Sequence, residues 1–209
     1  METREKFNAL KQELSNLNNI QINTCKLTFY APKKVRNNAQ EMRVPTQLLS
    51  FYEHSNGIEL DWEMLNSPDP DVLGRVKILS LDEVIQDWNG VVYFDDTELD
   101  DPIRTFSPFD FFVDEACVGI YLEEDFDDSL YLYKFDSEPF RLDLDISGYI
   151  ELLIAARGFL YWQNVIEALK TEDDNAEAER FRLFMPQIFP NFSFEDFSNT
   201  YESLRLSNK

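Results

Sequence analysis

From Ile58 to Leu144 the sequence advances in short apolar runs, each cut off by residues that favour turns. Ile58, Leu60 and Trp62 sit at alternate positions, SPDPD (67–71) interrupts, and VLGRVKIL (72–79) follows. Ser80, with Glu83 three residues on, forms the pattern of a capping box and predicts a short helix through Trp88, which Asn89-Gly90 ends. Two further apolar runs occupy 106–122. SLYLYKF (129–135) alternates cleanly and predicts a strand with one core face and one wet face; EPFRLDL is its partner, with Pro139 at the start. Strands joined by connections this short pair antiparallel, because a parallel pair needs a long crossover. The expectation is an α+β fold in a single domain: a mostly antiparallel sheet flanked by helices, with helical N- and C-terminal extensions.

The helices are marked by period and by caps. Phe7, Leu10, Leu14 and Leu17 recur at spacings of three and four and predict a helix over 2–17. CKLTFY (25–30) reads as a strand and APKKVRNNAQ (31–40) as a polar connector. Pro45 suits the first position of a helix carrying Leu48, Leu49, Phe51 and Tyr52, stopped by Asn56-Gly57, both tolerant of positive φ. The strongest pattern is 146–170, read as one long helix capped by Asp145 or Ser147 and apolar on more than one side. After the acidic stretch 172–179, the tail concentrates Phe181, Phe184, Phe189, Phe192, Phe194, Phe197 and Tyr201, too many rings to leave in water.

Charge narrows the function. Forty acids against nineteen bases give a net −21. Residues 1–43 hold eight of the bases and four of the acids, so this segment is +4 and the rest −25. Such a body repels a phosphate backbone, which argues against direct nucleic-acid binding. Two readings of the acidity remain: a surface that keeps cytoplasmic proteins apart, or a face that attracts a basic protein. No window approaches the roughly 18 uninterrupted apolar residues of a membrane span, and the opening METREKFNAL has no apolar signal core. Two cysteines form no disulfide framework, so a reducing, cytoplasmic location is expected.

No chemistry-bearing motif stands out. His54, the sole histidine, falls at a helix end, where favouring the helix dipole outweighs a catalytic reading. The six glycines stand apart, so no phosphate-binding loop exists. Two acidic clusters occur, Asp95, Asp96, Glu98, Asp100 and Asp101, then Glu123, Glu124, Asp125, Asp127 and Asp128; neither has the alternating register and turn glycine of a calcium loop. Cys25 and Cys117 lie in apolar strand contexts that favour inert thiols. Arg157 reads as a paired or snorkelling residue supporting its helix rather than as part of a binding surface, with Gly158 allowing close packing on a strand. No cofactor, metal or catalytic residue is expected, and no enzyme.

The order of landmarks resembles the SUKH superfamily, a group of bacterial immunity proteins related to a fungal cell-wall-synthesis regulator. The likeness rests on PTQLLSFYEHSNGIEL, Trp62, VLGRVKILSLDEVIQDW and the stretch from CVGIYLEED to ISGYIELLIAARGFLYW, about residues 43–163. It implies a core over 43–170, an N-terminal extension 1–42 and an aromatic-rich C-terminal extension 171–209 docked on it. Asn56, Gly57, Trp62, Leu73 and Gly74 are implied to be structural. The implied activity is stoichiometric neutralisation of a cognate toxin domain, or, alternatively, a non-catalytic adaptor role of the regulator type. The charge adds that this toxin is a basic nuclease and that the ten carboxylates named above, with Tyr93, Phe94, Tyr121 and Phe126, face it.

Overall fold

A computed structural model describes residues 2–123, 127–135 and 137–208. Its seven strands lie in the sheet in the order in which the chain makes them: β1 (Ile20–Leu27), β2 (Ile58–Met64), β3 (Leu73–Ile78), β4 (Phe106–Val113), β5 (Ala116–Tyr121), β6 (Tyr131–Lys134) and β7 (Phe140–Arg141). Every neighbouring pair is antiparallel. The helices are α1 (Glu2–Ser15), α2 (Lys33–Glu41), α3 (Thr46–Tyr52), α4 (Leu81–Val84), α5 (Ile146–Ala155), α6 (Trp162–Thr171), α7 (Ala176–Ile188) and α8 (Phe194–Leu204). The fold is therefore α+β, as the short connections require.

Alternation along the strands builds two unlike faces. Ile58, Leu60 and Trp62 of β2, Val76 and Ile78 of β3, and Val118 and Ile120 of β5 enter the main core with α1, α3, α5 and α6. On the opposite face, β1–β3 present charged pairs to water, Lys26 with Glu59 and Arg75 with Asp61. At the β4–β6 end that same face is roofed instead, by a second apolar cluster of Val92, Phe106, Cys117, Tyr121 and Tyr133. β6 therefore has no wet face: Leu132 points into the main core and Tyr133 into the second cluster. Tyrosines at 131 and 133 mimic solvent-facing residues in an alternation count, yet their rings pack on Tyr121 and Phe106.

Four other expectations give way to local physics. Residues 31–40 are mostly helix, not connector: Pro32 precedes α2, Ala31 and Ala39 are buried, and Val35 packs against the core. β1 begins at Ile20 and ends at Leu27, leaving Phe29 and Tyr30 exposed beyond it. Ser80 and Glu83 do form the capping box, but α4 is a single turn that ends before Trp88. Of Asn56-Gly57 only Gly57 has positive φ (108°); Asn56 uses its side-chain oxygen to accept the Leu81 N–H at 2.9 Å, tying the end of α3 to the start of α4.

The last departure matters most. The pattern 146–170 is two helices, broken where Arg157, Gly158 and Tyr161 take left-handed φ of 54°, 66° and 60°. The break lets Gly158–Leu160 lie along β3. Arg75 N–H donates to Gly158 O and Leu160 N–H to Leu73 O, both at 2.8 Å. A Cβ on Gly158 would come within 2.6 Å of Val76, so the glycine allows the approach. Arg157 turns out to be structural, its guanidinium on the Phe189 ring and paired with Glu13. The aromatic tail docks as expected: Phe181, Phe189 and Tyr201 are buried in the main core.

This insertion occupies β3 because β3 and β4 barely pair; their ladder register is the single couple Ile78–Asp110. Asp110 fills the seam. One carboxylate oxygen accepts the Lys77 N–H at 2.8 Å and the other accepts the Tyr149 hydroxyl at 2.7 Å, and Gln163 donates to that hydroxyl at 2.9 Å. Burial raises the Asp110 pKa from 3.8 to about 6, against the lowering effect of these two hydrogen bonds. A folded-state pKa above the unfolded one means that the folded protein holds the extra proton. Stability is then greatest below pH 4 as far as Asp110 is concerned and declines as pH rises through 6, by about 3 kcal/mol at most. Asp143 acts in the opposite sense. Burial would raise its pKa, but hydrogen bonds from Ser207, Arg205 and Arg141 prevail and hold it at about 2, so its contribution is present above pH 4 and lost as pH falls toward 2. Urea unfolding at pH 4, 5, 6 and 7 is expected to show the decline in the native chain and a flatter profile in Asp110→Asn; identical profiles would remove Asp110 as the cause.

Candidate functional site

The second apolar cluster carries a loop. After α4 the chain turns at Gly90 (φ 83°), drops Val92 into the cluster, and emerges as Phe94–Asp101. Arg104 shapes the loop from beneath. Its guanidinium lies 5.0 Å from the Tyr93 ring centre, Nε donates to Glu98 O at 2.9 Å and an Nη donates to Thr97 O. Thr97 closes the first turn by accepting the Phe94 N–H at 3.0 Å. Asp101 closes the far end by accepting the Ile103 N–H at 2.9 Å, capping a short 3-10 turn that leads into β4. Arg104 thus holds backbone carbonyls and forms no ion pair with the loop's carboxylates among the described residues.

Those carboxylates point outward. Asp95, Asp96, Glu98, Asp100 and Asp101 are exposed, and none of them enters an ion pair among the described residues. Asp95 accepts from the Asn89 side chain at 2.8 Å; Asp96, Glu98 and Asp100 make no side-chain hydrogen bond within the described residues. Between them stand two apolar side chains, Phe94 at 54% and Leu99 at 91% exposure. An exposed leucine is ordinary alone; two apolar groups set among unpaired carboxylates on a braced loop have the make-up of a contact surface.

The described acids of the second cluster, Glu123, Asp127 and Asp128, take three different settings. Glu123 lines a cleft of about 390 Å³ with Asp87, Tyr93 and Arg104. Asp127 is exposed but engaged within the chain: it pairs with Arg141, accepts from Tyr131 and caps the Ser129 N–H. Asp128 lines a different cleft, its carboxylate accepting from the Gln47 side chain at 3.3 Å. Glu124, Asp125 and Phe126 lie outside the described residues.

Two acids missed by reading clusters complete the loop's surroundings. Asp87 accepts the Tyr93 hydroxyl and the Asn89 N–H, which together hold its pKa below the usual carboxylate value. Glu138 comes from the turn before β7 and lines a cleft with Phe94 and Asp101. Neither stands in an acidic run, so only the folded sheet brings them near.

His54 lies in a separate cleft of about 430 Å³ with Asp128, Asp145 and Glu151. There Asp145 caps α5 by accepting the Gly148 N–H at 2.7 Å, and Glu151 pairs with Lys6. Burial raises the pKa of both Cys25 and Cys117, the reverse of an activated thiol. Among the described residues no three histidine, cysteine or acidic side chains gather as metal ligands, and no helix is long and apolar enough to cross a membrane.

No family model matches the chain, and no curated protein matches it.

Proposed function

We propose that this protein is an immunity protein of the SUKH type, which binds a cognate bacterial toxin domain in the cytoplasm and blocks it without turnover. The observation that carries the reading is the braced loop 94–101, with five exposed carboxylates that enter no ion pair among the described residues, set around Phe94 and Leu99. A toxin that cuts nucleic acid needs a basic cleft for its substrate. A dense array of carboxylates competes for that cleft and speeds encounter by about 10- to 1000-fold at low salt. Charge governs rate and choice of partner, while the two apolar side chains supply the desolvated anchors that hold the complex. The resemblance over residues 43–163 supports the same reading.

Co-expression with the toxic domain encoded beside it tests this directly. Cells carrying the toxin alone are expected to die and cells carrying both to grow, with the two proteins purifying as a one-to-one complex. Killing that persists with every adjacent toxic domain would overturn the reading in favour of an adaptor that docks on host proteins through the same loop.

A further inference from the structure

Beneath the loop lies a cleft of about 300 Å³ that the sequence did not announce. Its walls include Tyr93 and Phe94 from the loop, Tyr121 and Tyr133 from β5 and β6, and its rim holds Asp101 and Glu138. We infer that this cleft is a socket for one arginine side chain of the partner. The inference rests on the proposed toxin-binding role of the loop and adds the residue type that the loop's base selects.

Three observations support a guanidinium as occupant. The rings are fixed before any ligand arrives: Tyr121 and Tyr133 both stack edge-on against Phe106, at 5.3 and 5.5 Å between centres, so little ordering is left to oppose binding. Two carboxylates, Asp101 and Glu138, line the cleft. The Tyr121 hydroxyl is pushed up to about 12, first by burial and then by Tyr131, Glu138 and Asp101, while neither Asp101 nor Glu138 has an ion-pair partner among the described residues. Finally, the loop already uses this chemistry, since Arg104 rests on Tyr93 and donates to two carbonyls with its fork. A guanidinium stacks flat on a ring and gives paired N–H bonds to a carboxylate; an ammonium is a point charge that loses more hydration in entering an aromatic wall.

The test is a titration of the full chain, followed by NMR, at physiological salt with three capped hexapeptides: (Gly-Arg)3, (Gly-Lys)3 and the citrulline analogue. Citrulline keeps the shape and lacks the charge. The expected result is shifts at Tyr121, Tyr133 and Ser137, an arginine peptide that binds about tenfold more tightly than the lysine peptide, and no shift with citrulline. Phe94→Ala and Glu138→Gln, both at exposed positions, are expected to erase the preference for arginine while the unfolding midpoint stays in place. Equal binding of the arginine and lysine peptides, shifts confined to residues 95–100, or no binding would each overturn the socket. Protection in co-expression together with any of those results would leave the immunity role standing and remove only the socket. Arginine-selective binding without protection by any neighbour would do the reverse.

Discussion

Reversing Asp96, Glu98 and Asp100 to lysine together is expected to slow association with the toxin domain by on the order of 100-fold at low salt and to flatten its dependence on salt. The three residues are exposed and make no side-chain bond within the described chain, so the change acts on the field alone. The loop passes from an excess of five acids to a slight basic excess. Its backbone keeps its form, because that form depends on Arg104, Thr97 and Asp101, which remain. Stability should therefore stay within about 0.5 kcal/mol of the native chain. Stopped-flow association with the toxin domain recovered from protected cells, at two ionic strengths, decides it: an unchanged rate and salt slope would refute the acidic loop as the docking face.

The largest effect on stability is expected at Trp62. It is fully buried in β2, opposite Gly74 of β3. A Cβ at Gly74 would fall 2.0 Å from the indole nitrogen, so the glycine exists to admit the ring. The indole N–H donates to Arg157 O at 2.7 Å, and its rings meet Phe189 edge-on at 5.8 Å and Phe159 at 6.3 Å. One side chain thus joins the sheet, the break between α5 and α6, and the C-terminal helices. Trp62→Ala should cost about 3–5 kcal/mol, the range for removing a buried aromatic ring. Trp62→Phe keeps much of the bulk but strands the Arg157 carbonyl and should cost about 1–3 kcal/mol. Urea midpoints at constant slope measure both, and a loss below about 1 kcal/mol for Trp62→Ala would contradict this role.

What could be read from the sequence follows from how far each interaction reaches along the chain. The strands at 58–64, 73–78 and 106–121, the Ser80–Glu83 capping box and the Asp145 cap are set by residues within a few positions, and they appear in the structure. The break at Arg157 was hidden because apolar periodicity continues straight through it; only the free edge of β3, far away in the chain, explains the turn. The covering of β6 was hidden likewise, since a tyrosine in an alternating strand looks the same whether it meets water or Phe106. The acidic loop was legible as composition. That Asp127 is consumed by Arg141, while Asp87 and Glu138 come near the loop, depends on strand pairing that no local pattern encodes.

The loop hangs between two independent fastenings, the Ser80–Glu83 turn on one side and the Asp101 cap on the other, and only Val92 of its length is buried in the sheet's roof. Apart from Thr97, which closes the first turn, the side chains of residues 94–100 are therefore free to change without asking the rest of the protein to fold differently. Under the proposed role, a lineage facing a new toxin could rewrite most of this stretch, retargeting the molecule while its architecture is inherited intact.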